Sequence, residues 1–213
     1  MGNESKREKR VYPLGRIEVR AGDDGKGNTI AGYAAVFDQP SVLLYGSFRE
    51  RIQRGAFAAS VAGDDVRALW NHNDDYPIGR MKNGTLRLAE DATGLGFEID
   101  PPRTQTAADF VETIRQGYVD AMSFGFSVLD ETWDEDGDGQ LVRTLRKVKL
   151  YEVSPVTFPA YPQSSAEVRA MLALGDMPEI PQLTRRAAEG DDAERARARL
   201  ALMRRKLALM ALE

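Results

Sequence analysis

Short apolar-alternating runs, parted by Gly- and Asp-rich turns, recur along most of this chain and limit the folds open to it. Residues 14–20, 29–37, 66–70, 85–89, 94–99, 121–129, 142–150 and 152–158 carry this pattern, which buries one face of a strand and leaves the other to solvent. The first two runs are joined by Ala21 Gly22 Asp23 Asp24 Gly25 Lys26 Gly27 Asn28, the composition of a hairpin loop. Helical signals interrupt the strands. Thr106 and Asp109 resemble a capping box, Phe110, Val111 and Ile114 share one face, and Gly117 stops the helix. Ser164 and Glu167 form a second box ahead of Val168, Met171 and Leu172, with Gly175 as terminator, and residues 48–61 read as a weaker helix broken by Gly55. Many strands with few amphipathic helices predict an α+β domain, a mostly antiparallel β-barrel surrounded by helices.

At 213 residues with 42% apolar composition, the chain suits one domain of about 150 to 170 residues with tails. Residues 1–10 hold little to bury and read as a disordered basic arm, residues 11–175 as the domain, and residues 176–192, with Pro178, Pro181 and Gly190, as a linker. In residues 193–213, Ala193, Ala196, Leu200, Met203, Leu207 and Met210 fall on one stripe, which predicts an amphipathic C-terminal helix. That helix either folds back on the domain or forms a short heptad seam with a partner or a second copy.

The net charge of −4 hides a division: residues 1–10 carry 4 basic and 2 acidic groups and residues 184–213 carry 8 and 5, which leaves 17 basic against 26 acidic between them. So acidic a body repels phosphates, so no specific nucleic-acid partner is expected. No run approaches a membrane span and residues 1–10 lack the apolar stretch of a secretory signal, so no membrane partner is expected and an intracellular location is.

The chain has one histidine, His72, and no cysteine. Chemistry that needs an imidazole therefore depends on His72, and thiol nucleophiles, disulfides and thiolate metal sites are excluded. His72 sits in a polar stretch, residues 71–77, that reads as a turn after a short apolar strand. Asp74 and Asp75 beside it suggest a metal but supply too few ligands for one. Asp134, Asp136, Asp138 and Gly139 open like a calcium loop, yet position twelve falls on Leu145. A solvated hairpin tip accounts for the same residues. In residues 120–128, alternation sets Ser123 on the face opposite Met122 and Phe124, with Gly125 leaving room for another backbone. Glu152 heads an otherwise apolar strand.

The ordered set Gly32 Tyr33 Ala34 Ala35 Val36 Phe37, Phe57, His72 with Pro77 Ile78 Gly79 Arg80, Met122 Ser123 Phe124 Gly125 Phe126, and Glu152 Val153 Ser154 Pro155 Val156 Thr157 Phe158 Pro159 Ala160 resembles the prohead (head maturation) proteases of HK97-type tailed bacteriophages, over roughly residues 14–172. The resemblance implies a serine endopeptidase with a herpesvirus-assemblin-like β-barrel and no cofactor or metal. It implies that the enzyme cleaves the scaffolding segment from the major capsid protein precursor, and cuts itself, within the assembling procapsid in the host bacterial cytoplasm. It places the base on His72, the nucleophile on Ser123 and the orienting acid on Glu152. Asp120 is the rival acid, disfavoured because residues 120 and 123 point to opposite faces of a strand. The basic ends and the terminal stripe keep another reading open, a non-catalytic capsid assembly or scaffold protein that binds partners, or its own copies, through the C-terminal helix. A metal-dependent hydrolase using His72, Asp74 and Asp75 is a third.

Overall fold

The computed structural model describes residues 7–12, 17–21, 27–44, 46–157, 178 and 180. In chain order the elements are β1 (Arg7–Tyr12), β2 (Ile17–Ala21), β3 (Asn28–Val36), β4 (Phe48–Ile52), α1 (Ala58–Gly63), β5 (Arg67–Trp70), β6 (Asn73–Arg80), β7 (Leu86–Glu90), β8 (Gly94–Ile99), α2 (Gln105–Arg115), β9 (Ala121–Glu135) and β10 (Leu141–Val156). Two sheets enclose one core. A six-stranded sheet runs β1-β9-β10-β5-β6, with β4 added to β10, and a four-stranded sheet runs β2-β3-β8-β7. Ile30, Leu86, Leu95, Phe97 and Ile99 from the smaller sheet meet Phe124, Phe126, Val148, Leu150 and Val153 from the larger, with Phe110, Val111 and Ile114 of α2.

The sixteen-residue β10 organises the larger sheet. One of its edges pairs antiparallel with β9; the other takes β4 in parallel over Leu141–Leu145 and then β5 in parallel at Glu152 and Val153. The domain is therefore mostly β, with mostly antiparallel pairing, as the alternation predicts. Among the described residues the β structure is two sheets around one core, with two α-helices. The 48–61 helix is corrected. Phe48, Glu50 and Ile52 are buried and alternate with exposed Arg49 and Arg51, the strand period, so only the stretch after Gly55 is helical. For α2 the cap is Thr104, whose side chain accepts from the Ala107 N–H at 3.2 Å, while Asp109 is taken by Gln105 at 2.7 Å. Gly117, at φ 74°, closes the helix as expected, its N–H donating to the Ile114 carbonyl. Between β9 and β10 the acidic stretch is a hairpin tip. The Asp136 carboxylate accepts from the N–H groups of Asp138 and Gln140.

The basic arm ends in β1, which pairs with β9 from Arg7↔Ser127 to Tyr12↔Met122. The reading of residues 7–10 as disordered rested on their lack of apolar side chains. What they bury instead is charge of both signs. Arg10 donates to Glu50 Oε1 at 2.8 Å and to Glu8 Oε2 at 2.5 Å, and Arg143 donates to Glu8 Oε1 at 2.9 Å and Glu50 Oε2 at 2.9 Å. Such a cluster adds little over an apolar core, but removing one member leaves buried charge uncompensated. Burial alone would raise the Glu8 carboxyl pKa, but the hydrogen bond from Arg143 and the charges of Arg10 and Arg143 outweigh it and hold it below the ordinary carboxylate value. A carboxyl depressed by folding stabilises above its unfolded pKa, about 4.3, and loses that contribution as pH falls through the folded value. Glu8→Gln is expected to cost on the order of 3 kcal/mol at neutral pH. Melting curves should show the gap to wild type narrowing from pH 6 to pH 3, and a gap independent of pH would contradict this account.

The helix expected after Ser164 and the C-terminal helix over 193–213 lie outside the described residues, as does most of the linker. Within the linker, Ile180 packs against the buried pair Leu44 and Phe48, as do Trp133 and Leu141.

Candidate active site

His72 stands at the tip of the β5–β6 hairpin. The turn expected over 71–77 is only two residues long, Asn71 and His72, because both adopt positive φ (53° and 57°), which lets Trp70 pair directly with Asn73. Left-handed backbone matches the twist of a two-residue hairpin, and Asn and His tolerate it better than most residues. The tip is docked on the end of β10. The Asn71 N–H donates to the Pro155 carbonyl at 3.1 Å, its side-chain amide donates to Thr157 Oγ1 at 3.2 Å, and its side-chain oxygen accepts from the Thr157 N–H at 2.9 Å. Trp70, with ring centroids 5.8 Å from Tyr76 and 4.5 Å from Phe110, braces the hairpin on α2.

Docking there brings the imidazole to Glu152. His72 Nδ1 and Glu152 Oε1 lie 2.6 Å apart, and Glu152 is 8% exposed. Two local features make this contact. First, Leu150 pairs with Phe126 and Glu152 with Gly125, so Tyr151 is an extra residue in β10. Without that bulge Glu152 would share the core-facing side of Leu150; with it, the carboxylate turns to the opposite side of the sheet. Second, the carboxylate lies on Gly125, where an added Cβ would stand 2.4 Å from Oε1. The room at Gly125 thus admits a side chain rather than a backbone. Gly125→Ala is expected to push the carboxylate away and break the contact with His72. Spectra of ¹⁵N-histidine-labelled protein, simple because there is one histidine, would report it; ring signals unchanged from wild type would contradict it.

Ser123 precedes Gly125 by two residues on β9 and shares its side of the sheet. It is fully buried, opposite Ser154 of β10 and Val11 of β1, and its hydroxyl donates to the Arg10 carbonyl at 3.0 Å. His72 Nε2 is buried and has no hydrogen-bond partner among the described residues. The structure therefore joins His72 to Glu152 and sets Ser123 on the same side of the sheet, without a bond from the serine to the imidazole. Asp120 is exposed just before β9, and Asp74 and Asp75 are exposed on β6. Arg80 is engaged by Asp65, its Nε 2.9 Å from Oδ2. A Cβ on Gly79 would meet Ile99 and the Thr85 carbonyl at 3.0 Å, which marks a packing role. The sequence reading missed the role of Asn71 in docking the hairpin tip, for which an Asn before His in a polar turn was a legible signal.

The chain matches the caudovirus prohead serine protease family over residues 15–176. It is 30% identical over 151 residues to the prohead protease of Enterobacteria phage HK97, covering 69% of this chain and 62% of that protein. It is 32% identical over 97 residues to the prohead protease of Escherichia phage T5, covering 46% and 42%. The chain thus spans about three fifths of the HK97 relative and two fifths of the T5 relative. A solved structure of the bacteriophage T4 capsid assembly protease is similar at a TM-score of 0.47 and 12% identity, over 74% of this chain and 100% of that one. With three quarters of its length matched by a single family model, the chain belongs to the caudovirus prohead serine protease family.

Proposed function

We propose that the chain is a serine endopeptidase of phage head maturation, with Ser123 as nucleophile, His72 as base and Glu152 as the acid that orients the base. The observation that carries this reading is the 2.6 Å contact between His72 Nδ1 and Glu152, on the side of the sheet that Ser123 shares, with Nε2 buried and without a hydrogen-bond partner among the described residues. Buried polar atoms are usually hydrogen-bonded; among the described residues Trp70 Nε1 is also without a partner, but only Nε2 belongs to a group that can act as a base near neutral pH. A serine hydroxyl attacks a peptide carbonyl only when a base takes its proton. In this reading, the Ser123 hydroxyl leaves the Arg10 carbonyl and donates to Nε2 when substrate binds. His72 accepts the proton as Ser123 adds to the carbonyl, then delivers it to the leaving amine. Glu152 keeps the Nδ1–H tautomer and stabilises the imidazolium without becoming protonated.

The substrate we assign is the scaffolding segment of the capsid protein precursor, with the enzyme's own chain as a second target, cut inside the procapsid in the host cytoplasm. The family description and the names of the HK97 and T5 relatives support the coarser part of this assignment, a protease that acts in the prohead. The herpesvirus-assemblin-like barrel and a partner-binding or self-associating C-terminal helix belong to the same proposal. Incubation with purified capsid precursor tests it: wild type should shorten the precursor and the Ser123→Ala chain should not. Intact precursor in both reactions would favour the scaffold reading, and equal shortening in both would remove Ser123 from the mechanism.

A further inference from the structure

Among the described residues, each oxygen of the Glu152 carboxylate has one hydrogen-bond partner. Oε1 faces His72 Nδ1 at 2.6 Å, and Oε2 accepts from the Ser154 hydroxyl at 2.5 Å. Ser154 is fully buried, two residues beyond Glu152 on β10 and directly across from Ser123 on β9. The three reacting groups assigned above leave this hydroxyl without a task. We propose that Ser154 is a positioning residue, which fixes the rotation of the Glu152 carboxylate and so aims Oε1 at the imidazole. This inference deepens the reading of His72 as base and rests on it.

The terminal torsion of a glutamate is broad and nearly two-fold, so a carboxylate held through one oxygen can swing about that bond. Gly125 supplies a floor, since the carboxylate fills the space a Cβ would take, but a floor does not select a rotation. The Ser154 bond does. A donor to an ionised carboxylate makes a short, strong hydrogen bond, and here it is made inside the protein, where a second anchor is not loosened by competing water. The bond also separates the two serines that face each other across β9 and β10. Ser154 has one proton to give and gives it to Glu152, whereas Ser123 gives its proton to a main-chain carbonyl, a weaker partner that it can leave for Nε2.

The test reads the imidazole directly as well as turnover. In Ser123→Ala protein labelled with ¹⁵N-histidine, a single far-downfield Nδ1–H resonance is expected, unambiguous because His72 has no companion in the chain. Adding Ser154→Ala should shift that resonance upfield or broaden it away, and adding Ser154→Thr, which restores a hydroxyl, should retain it. In the otherwise wild-type chain, Ser154→Ala should lower kcat about 10²-fold, the scale of a misplaced catalytic group, with KM unchanged, and Ser154→Thr should recover most of the loss. A purely structural Ser154 would lower the melting temperature yet leave kcat per folded molecule and the resonance as they were, and that result overturns the proposal. If Ser154→Ala does not fold, Ser154→Cys carries the same measurements: a weaker donor of similar shape should show the same losses, and wild-type values would overturn the proposal. Should Ser123→Ala still cleave while the resonance depends on Ser154, the positioning role stands and the nucleophile assignment falls. Should cleavage need Ser123 while neither readout responds to Ser154, only the present inference falls.

Discussion

Ser123→Ala is expected to reduce precursor cleavage by roughly 10⁴ to 10⁶-fold, the range found when single members of a serine–histidine–acid set are removed. At 1.36 kcal/mol per tenfold change, this asks about 5 to 8 kcal/mol of the covalent route. What remains should come from substrate binding and from backbone N–H groups that stabilise the oxyanion. The fold should tolerate the change, because among the described residues the hydroxyl makes one hydrogen bond, to the Arg10 carbonyl, and that carbonyl belongs to a strand held by its ladder with β9. Active-site competence and stability are thereby separated. The variant should melt within about 1 to 2 kcal/mol of wild type while cutting almost nothing. A variant that melts normally and cuts at more than a tenth of the wild-type rate would show that another group attacks the peptide.

Glu152→Gln is the second large effect, on the order of 10⁴-fold in kcat, by analogy with the amide replacement of the acid in a serine protease triad. The amide has nearly the same shape and remains able to lie on Gly125. Its NH2 group, however, can donate to Nδ1, which favours the tautomer with the proton on Nε2. An Nε2 that already carries a proton cannot take one from Ser123. Spectra of the single histidine would show the tautomer reversed, and the loss should fall on kcat rather than KM. Full activity with the proton on Nε2 would contradict the roles given to His72 and Glu152 together.

Much of this arrangement is legible in the amino-acid sequence, and the parts that are not have a common physical cause. Alternation through residues 120–128 sets Ser123 apart from Met122 and Phe124 because β9 is regular there. It also disfavours Asp120, which the structure leaves exposed before the strand. The same period misleads at Glu152. Counting by twos from Leu150 directs the acid into the core, and only the extra residue at Tyr151 reverses it; a bulge is a choice made between strands, which one strand's sequence does not record. Asn71 and His72 read as polar turn residues, but the tight turn that docks them on Pro155 and Thr157 depends on β10 being alongside. At residues 7–10, a scale that counts apolar side chains has no means of registering that Glu8 and Arg10 are buried by one another's charge and by Glu50 and Arg143 from distant strands. Local periodicity was readable wherever one strand decides it; pairing was not.

The central claim is that Ser123 attacks and His72 activates it, and the most direct measurement is the site of covalent capture by a fluorophosphonate. Peptide mass spectrometry of the treated wild-type chain should find the adduct on Ser123, and the same treatment of the His72→Ala chain should leave that residue unmodified. An adduct on Ser154 or another hydroxyl, or a chain that cleaves capsid precursor while resisting the reagent altogether, would contradict the account.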